Sequence, residues 1–263
     1  MLPAHSRWDA AVIVPVYGFA NVGAAQSPLR LVFNHNWPPY SAQDEQGRAS
    51  GTFFDIVDEE FNRRMGIPLE ANSLPRAQAH VRDGEVDGLV TVPTGERLQY
   101  LVASESVFTI VLNVYVARTS PNYSALAEIR DVADLVPFEV CEIFGNQLAI
   151  ERYRRLHIEK VTFVSTYPQC FRMLSHHRTD FVIVPPASAA KLIAALDMAA
   201  SIVEVPLRTP ADHHVLLRKD LPYAGALPEF NRVIRAMRED GIIDAIATRY
   251  RLNDLLSGSS LRL

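Results

Sequence analysis

The chain is short of the residues that mark metal, membrane and nucleic-acid chemistry. It has two cysteines, Cys141 and Cys170, in 263 residues. That number is too small for a disulfide framework, although an even count in an exported chain permits one bridge. Cys141 sits in a strand-like run (Phe138-Glu139-Val140-Cys141) and Cys170 in a helix-like one, which reads as two buried free thiols in one core rather than a bridge. No cysteine or histidine cluster has zinc spacing. The pairs His176-His177 and His213-His214 are adjacent, so their side chains diverge on a helix or a strand and cannot clamp one metal. Neither a metal nor a cofactor is expected. No apolar run approaches the roughly 20 residues of a membrane helix, so no membrane insertion is expected. Basic residues are outnumbered, 26 against 30 acidic, for a net charge of −4. A nucleic-acid binder would show a basic stripe instead. Short repeats and low-complexity segments are also missing.

What is present is an ordinary globular composition, 48% hydrophobic and 21% charged. The length suits one large or two medium domains. The first 25 residues stand apart. Arg7 precedes an apolar stretch from Ala10 to Ala20, followed by small residues in Val22-Gly23-Ala24-Ala25. That is the order of a secretory signal, with Asp9, Pro15 and Asn21 as departures from it, and it predicts an exported, periplasmic protein.

From Leu29 onward, short apolar runs alternate with helical stretches. Leu29 to Phe33 reads as a strand, and the paired prolines of Trp37-Pro38-Pro39-Tyr40 force a loop. Gln43 to Ser50, polar and with Gly47, reads as a turn. Phe54, Val57, Phe61 and Met65 recur at helical spacing, and Gly66 ends that helix. Strand, helix and strand follow at Leu69–Ala71, Arg76–Arg82 and Val86–Val92. The second half repeats the theme. Strands are predicted at 138–143, 161–164 and 181–184, and helices at 147–156, 168–176, 187–196, 228–237 and 242–250. Alternation at crossover length predicts an α/β protein with largely parallel sheets.

The order of these signals resembles the family-3 extracellular solute-binding proteins, the polar amino-acid binders of ABC importers. The resemblance runs from about Leu29 to Tyr250. It rests on the loop Trp37-Pro38-Pro39-Tyr40 and on Gly51 followed four residues later by Asp55. It rests further on Gly84-Glu85-Val86-Asp87, on Thr94-Gly95-Glu96-Arg97, and on the turn Gly145-Asn146-Gln147. Thr179-Asp180-Phe181-Val182-Ile183 and Asp240-Gly241-Ile242 through Tyr250 complete it. The resemblance implies the type II periplasmic-binding fold, two Rossmann-like lobes joined by a two-segment hinge. Residues 27–109 and 212–263 would form one lobe and the inserted 110–211 the other. It implies a monomer that captures a small-molecule solute in the interlobe cleft for an ABC permease.

The same resemblance assigns site residues. Arg97 would hold a ligand carboxylate, and a guanidinium fork suits that group. Trp37 and Tyr40 would wall the cleft, with Tyr40 alternatively packing inward. Arg76 would be a second anion contact or a solvated helix-start residue. Asn146 and Gln147 open a helix whose free N–H groups favour an anion, or simply cap it. Two positions depart from the family pattern. Val92 replaces a hydroxyl residue, with Thr91 beside it, and Pro185 replaces the aspartate that pairs with a ligand ammonium. A buried ammonium without an anion is costly, so Pro185 predicts a carboxylate ligand lacking the α-amine, unless Glu142 or Asp212 substitutes. Two other roles fit the scaffold: a lyase like the cyclohexadienyl dehydratases, with His35 as its acid or base, and a ligand-sensing subunit of a membrane receptor.

Overall fold

The computed structural model describes residues 28–34, 37–74 and 76–257. The predicted secretory segment and His35 lie outside them.

The first strand, β1 (Leu29–Asn34), is followed by a hairpin, β2 (Ala42–Gln43) and β3 (Ala49–Ser50), where the polar composition alone predicts a plain turn. The hairpin loop is closed by Asp44, whose carboxylate accepts the Gln46 and Arg48 N–H groups. Then come α1 (Thr52–Asp58), β4 (Leu69–Leu74), α2 (Ala77–Arg82) and β5 (Gly88–Thr91). The strand β6 (Leu101–Ala117) leads to α3 (Tyr123–Ala127), β7 (Val140–Ile143), α4 (Gln147–Arg155), β8 (Val161–Val164), α5 (Tyr167–Ser175), β9 (Val182–Val184) and α6 (Pro186–Ala195). The chain returns along β10 (Ile202–Arg218) and closes with α7 (Leu227–Glu239), α8 (Ile242–Arg249) and β11 (Leu255–Leu256).

Two lobes grow from one pair of strands. β6 and β10 are each 17 residues long and run antiparallel along their whole length. At one end β10 pairs with β5, which is parallel to β1 and through it to β4. At the other end β9 pairs with β6, and β7 and β8 lie parallel beyond it, tied on by a bridge from Val140 to Phe181. Helices cover both sheets, as parallel strands buried on two faces require. This is the two-lobed α/β fold expected from the sequence, but its sheets are not largely parallel as the alternation predicts: β10 pairs antiparallel with β5 and β6, and β6 antiparallel with β9 and β11, because the two long crossing strands run against each other.

Gly51 shows how tightly the first lobe is built. Its φ is 109°, and a Cβ there would meet the Tyr40 carbonyl oxygen at 2.6 Å. Only glycine lets the start of α1 approach the Trp37–Tyr40 loop this closely.

The structure corrects two further expectations. The helix predicted across Phe54 to Met65 changes character halfway: α1 passes into a π-helical stretch, Glu59–Arg64, where the Met65 N–H reaches back five residues to the Glu60 carbonyl. Glu60 and Phe61 are both buried there. The cysteines are not free thiols. Cys141 on β7 and Cys170 on α5 form a disulfide, because the helix packs directly over the strand with their Cα atoms 5.4 Å apart.

The bridge closes a loop between residues 29 apart, and chain-entropy reasoning assigns it about 3–4 kcal/mol. Urea unfolding of the double variant Cys141→Ala, Cys170→Ala should show a loss of that order; an unchanged midpoint would refute a stabilising role.

Glu60 generates a pH dependence. Its carboxyl is fully buried, has no hydrogen-bond partner among the described residues, and is pushed well up by burial alone. The folded state therefore keeps the proton that the unfolded state releases above about pH 4.3, and stability falls as pH rises through the gap between the two values. Glu60→Gln should match the wild type near pH 4 and then exceed it by about 1.4 kcal/mol per pH unit. Denaturation curves at several pH values check this; a pH-independent difference would contradict it.

Candidate functional site

In open α/β sheets, ligands bind beyond the carboxyl ends of the parallel strands. Here those ends carry the loop after β1 with Trp37 and Tyr40, the loop after β5 with Thr94 to Arg97, the turn after β7 with Asn146, and the turn after β9 with Pro185. A contact joins the two sets: the Gly95 N–H donates to Glu151 Oε1 of α4 at 2.7 Å, so the β5 loop of one lobe touches the first helix after β7 in the other.

Arg97 is almost fully buried, 6% exposed. Its Nε donates to Gln78 Oε1 at 2.9 Å and its Nη1 to the Val92 carbonyl at 2.6 Å. Among the described residues no carboxylate forms an ion pair with it. The alternative of a surface arginine paired with Glu96 or Glu105 does not hold in the structure. Glu96 accepts from Gln78, and Glu105 pairs with Arg235. Burial lowers the Arg97 pKa, opposed by the charges of Tyr100, Glu96 and Glu151. A desolvated guanidinium held by neutral acceptors is a standing demand for an anion.

Trp37 is half-buried at the edge of an aromatic group. Its ring lies 4.8 Å from Tyr40, 5.7 Å from Phe53 and 6.2 Å from His213. Its Nε1–H is buried without a hydrogen-bond partner among the described residues. His213 stacks on Phe108 at 5.2 Å and donates through Nδ1 to the Ala211 carbonyl. Burial drives its pKa down to about 4, so it is neutral at pH 7. Strand alternation in β10 is the sequence signal for its inward face.

Tyr40 does not line an open cleft in this structure. It is wholly buried, and its hydroxyl donates to Asp254 Oδ2 at 2.5 Å. Burial and the Asp254 charge both push the phenol upward. The same Oδ2 accepts the Ala187 N–H at 3.0 Å, at the first turn of α6. Asp254 escapes the sequence-based candidates, although an acid in Leu252-Asn253-Asp254-Leu255, flanked by apolar residues, is a signal of burial. Pro185 precedes α6 as its cap, buried and with no side-chain acceptor, and Asp254 caps that helix from the C-terminal segment instead.

The remaining candidates divide. Thr91 is buried in β5 opposite His214 of β10. Arg76 is exposed at φ 58°, the residue before α2. Asn146 takes the capping alternative: its Oδ1 accepts the Ala149 N–H and its Nδ2 donates to the Tyr167 hydroxyl. Gln147 is the first residue of α4 and half-buried. Neither proposed substitute for the missing acid is free. Glu142 is buried beneath the turn, accepting from Tyr153, Tyr167 and the Ile143 N–H, and burial pushes its pKa up against those bonds. Asp212 accepts from Thr109 at 2.5 Å. Among the described residues no group of three metal-ligating side chains gathers, and no helix is long and apolar enough to cross a membrane.

The model of the bacterial extracellular solute-binding proteins, family 3, matches residues 29–253. No curated protein sequence matches the chain. Among solved structures, a histidine kinase sensor domain with similarity to periplasmic binding proteins superposes with a TM-score of 0.68 at 16% identity, covering 85% of this chain and 96% of that one. An ancestral arginine-binding protein bound to arginine gives 0.65 at 19%, covering 86% and 98%. An ancestral amino acid-binding protein, a precursor of cyclohexadienyl dehydratase, gives 0.63 at 19%, covering 85% and 95%. At these identities the likeness establishes the fold.

Tyr40→Phe removes one of two donors to a buried carboxylate oxygen, which should cost about 1–3 kcal/mol. Thermal and urea unfolding measure it; a variant as stable as the wild type would show that the bond carries no weight.

Proposed function

The chain belongs to the bacterial extracellular solute-binding proteins of family 3, and on that premise we propose that it captures a small carboxylate-bearing, amino-acid-like solute between its lobes and delivers it to an ABC importer in the periplasm. The observation that carries this is Arg97, a buried guanidinium with neutral partners only, in the loop that touches the opposite lobe. Two parallel charge-assisted bonds to a carboxylate satisfy its demand.

Residues 27–109 with 212–263 form one lobe in this reading and 110–211 the other, with the crossings in β6 and β10. Closure around the solute excludes water and strengthens each polar contact. Trp37, half-buried beside Tyr40 and Phe53, would offer an aromatic wall and its unpartnered Nε1–H to the ligand. The Cys141–Cys170 bridge supports export, since such bonds persist in oxidising compartments. The protein works by binding and carries out no reaction. The neutral, aromatic-packed His213 is held as a structural group rather than poised as an acid or base.

A thermal-shift screen against amino acids and small carboxylic acids tests the reading. A ligand at 100 times its Kd adds about 2.7 kcal/mol to the folded state. Arg97→Ala should keep the fold and abolish the shift for every carboxylate. A variant that still binds them as the wild type does would remove Arg97 from the site and the proposal with it.

A further inference from the structure

Position 185 is proline, and Glu142 and Asp212 are engaged inside their own networks. One other acid reaches the Arg97 loop from the opposite lobe. Glu151 lies on α4 one turn beyond Gln147, so the two share a helix face. Its Oε1 accepts the Gly95 N–H at 2.7 Å, two residues from Arg97. The approach is close enough that a Cβ on Gly95 would lie 3.1 Å from that oxygen. No other described side chain bonds or pairs with Glu151. It forms no ion pair with Arg97, yet its charge acts on that guanidinium. A carboxylate and a guanidinium from two lobes thus come close enough for the charge of one to act on the other, each anchored by neutral groups and neither neutralising the other by contact. That arrangement suits a molecule carrying both charges a few ångströms apart.

We propose that Glu151 binds the ligand's ammonium group while Arg97 binds its carboxylate, so that the solute is a zwitterion with adjacent amine and acid. This rests on the Arg97 reading above, and it reverses the expectation drawn from Pro185. The counter-charge has moved from the end of β9 to the first helix after β7.

The test is calorimetric titration of the purified chain with the twenty L-amino acids, and of the tightest one against its des-amino carboxylate. The wild type should prefer the amino acid by about 30-fold or more, the worth of one charge-assisted bond. Glu151→Gln keeps an acceptor for the Gly95 N–H but removes the charge. It should erase most of that preference and leave the des-amino acid nearly unchanged, whereas Arg97→Ala should weaken both ligands. An equal or tighter grip on the des-amino acid, or a preference that survives in Glu151→Gln, overturns the Glu151 proposal and leaves the Arg97 reading standing. The Glu151 proposal falls equally if Glu151→Gln is silent while Glu151→Ala weakens both ligands alike, because Glu151 is then only an interlobe latch. If no carboxylate binds the wild type, both readings fall.

Discussion

The paired strands β6 and β10 set the terms for the rest of the molecule. Their ladder runs from Ala117 opposite Ile202 to Leu101 opposite Arg218, and each strand belongs to both lobes. Any motion of one lobe against the other has to pass through this ribbon. The ladder is interrupted where such motion would need slack: its register shifts between Val205 and Thr209 and again at His213 and His214. Pro206 has no N–H to give a ladder bond, and Arg208 turns at φ 52°. The Arg208 N–H at that bulge is not left unsatisfied. Asn113 Oδ1 accepts the Arg208 N–H, Asn113 Nδ2 donates to Glu204, and the Tyr115 hydroxyl donates to the same carboxylate. A bulge held by side chains bends a strand without orphaning its polar groups.

The C-terminal segment adds a second constraint at the same place. β11 pairs with β6 at Ile110 and Thr109, and Asp254 just before it joins the Tyr40 hydroxyl to the first turn of α6. One carboxylate oxygen therefore ties the loop after β1 to the helix after β9. Glu60 is treated differently. Among the described residues it has no hydrogen-bond partner, and burial pushes its pKa well up, which favours the neutral form. Glu142 sits between these cases, desolvated but surrounded by donors. Arg97 is alone among these in carrying a permanent charge with only neutral partners, which is the ground on which a binding role is proposed for it and not for the others.

Much of this was legible in the sequence because period and punctuation are local. The strand at Val161–Val164 falls where the apolar run puts it, and α4 to α8 begin within one residue of their predicted starts. Tyr40 and Cys141 were harder. Whether Tyr40 faces a cleft or a core depends on Asp254, more than two hundred residues away, and whether Cys141 is free depends on how α5 crosses β7. The π-helical slip at Glu59–Arg64 was illegible for another reason. The apolar spacing is compatible with an α-helix, and nothing in it signals the wider turn. Site residues divide by the same rule. Arg97 could be nominated from Thr94-Gly95-Glu96-Arg97, but its neutral surroundings could not, since Gln78 comes from a separate helix.

The location proposed for the counter-charge bears on how closure would be coupled to binding. An acid at the end of β9 would sit beside the β6 edge, near the ribbon, where opening changes distances least. Glu151 lies instead on a helix that meets the opposite lobe at Gly95. An acid placed there delivers its full attraction to a ligand only when the lobes meet. A ligand can shift a conformational equilibrium only by its difference in affinity for the two states. A zwitterion bridging Arg97 and Glu151 has that difference built into it, because each half of its charge is held by a different lobe. A ligand bound through Arg97 alone would be held by one lobe and would favour closure only through weaker contacts such as the aromatic wall at Trp37. Selectivity for the amine and the drive to close would then be one free-energy term, and neither would need an acid at position 185.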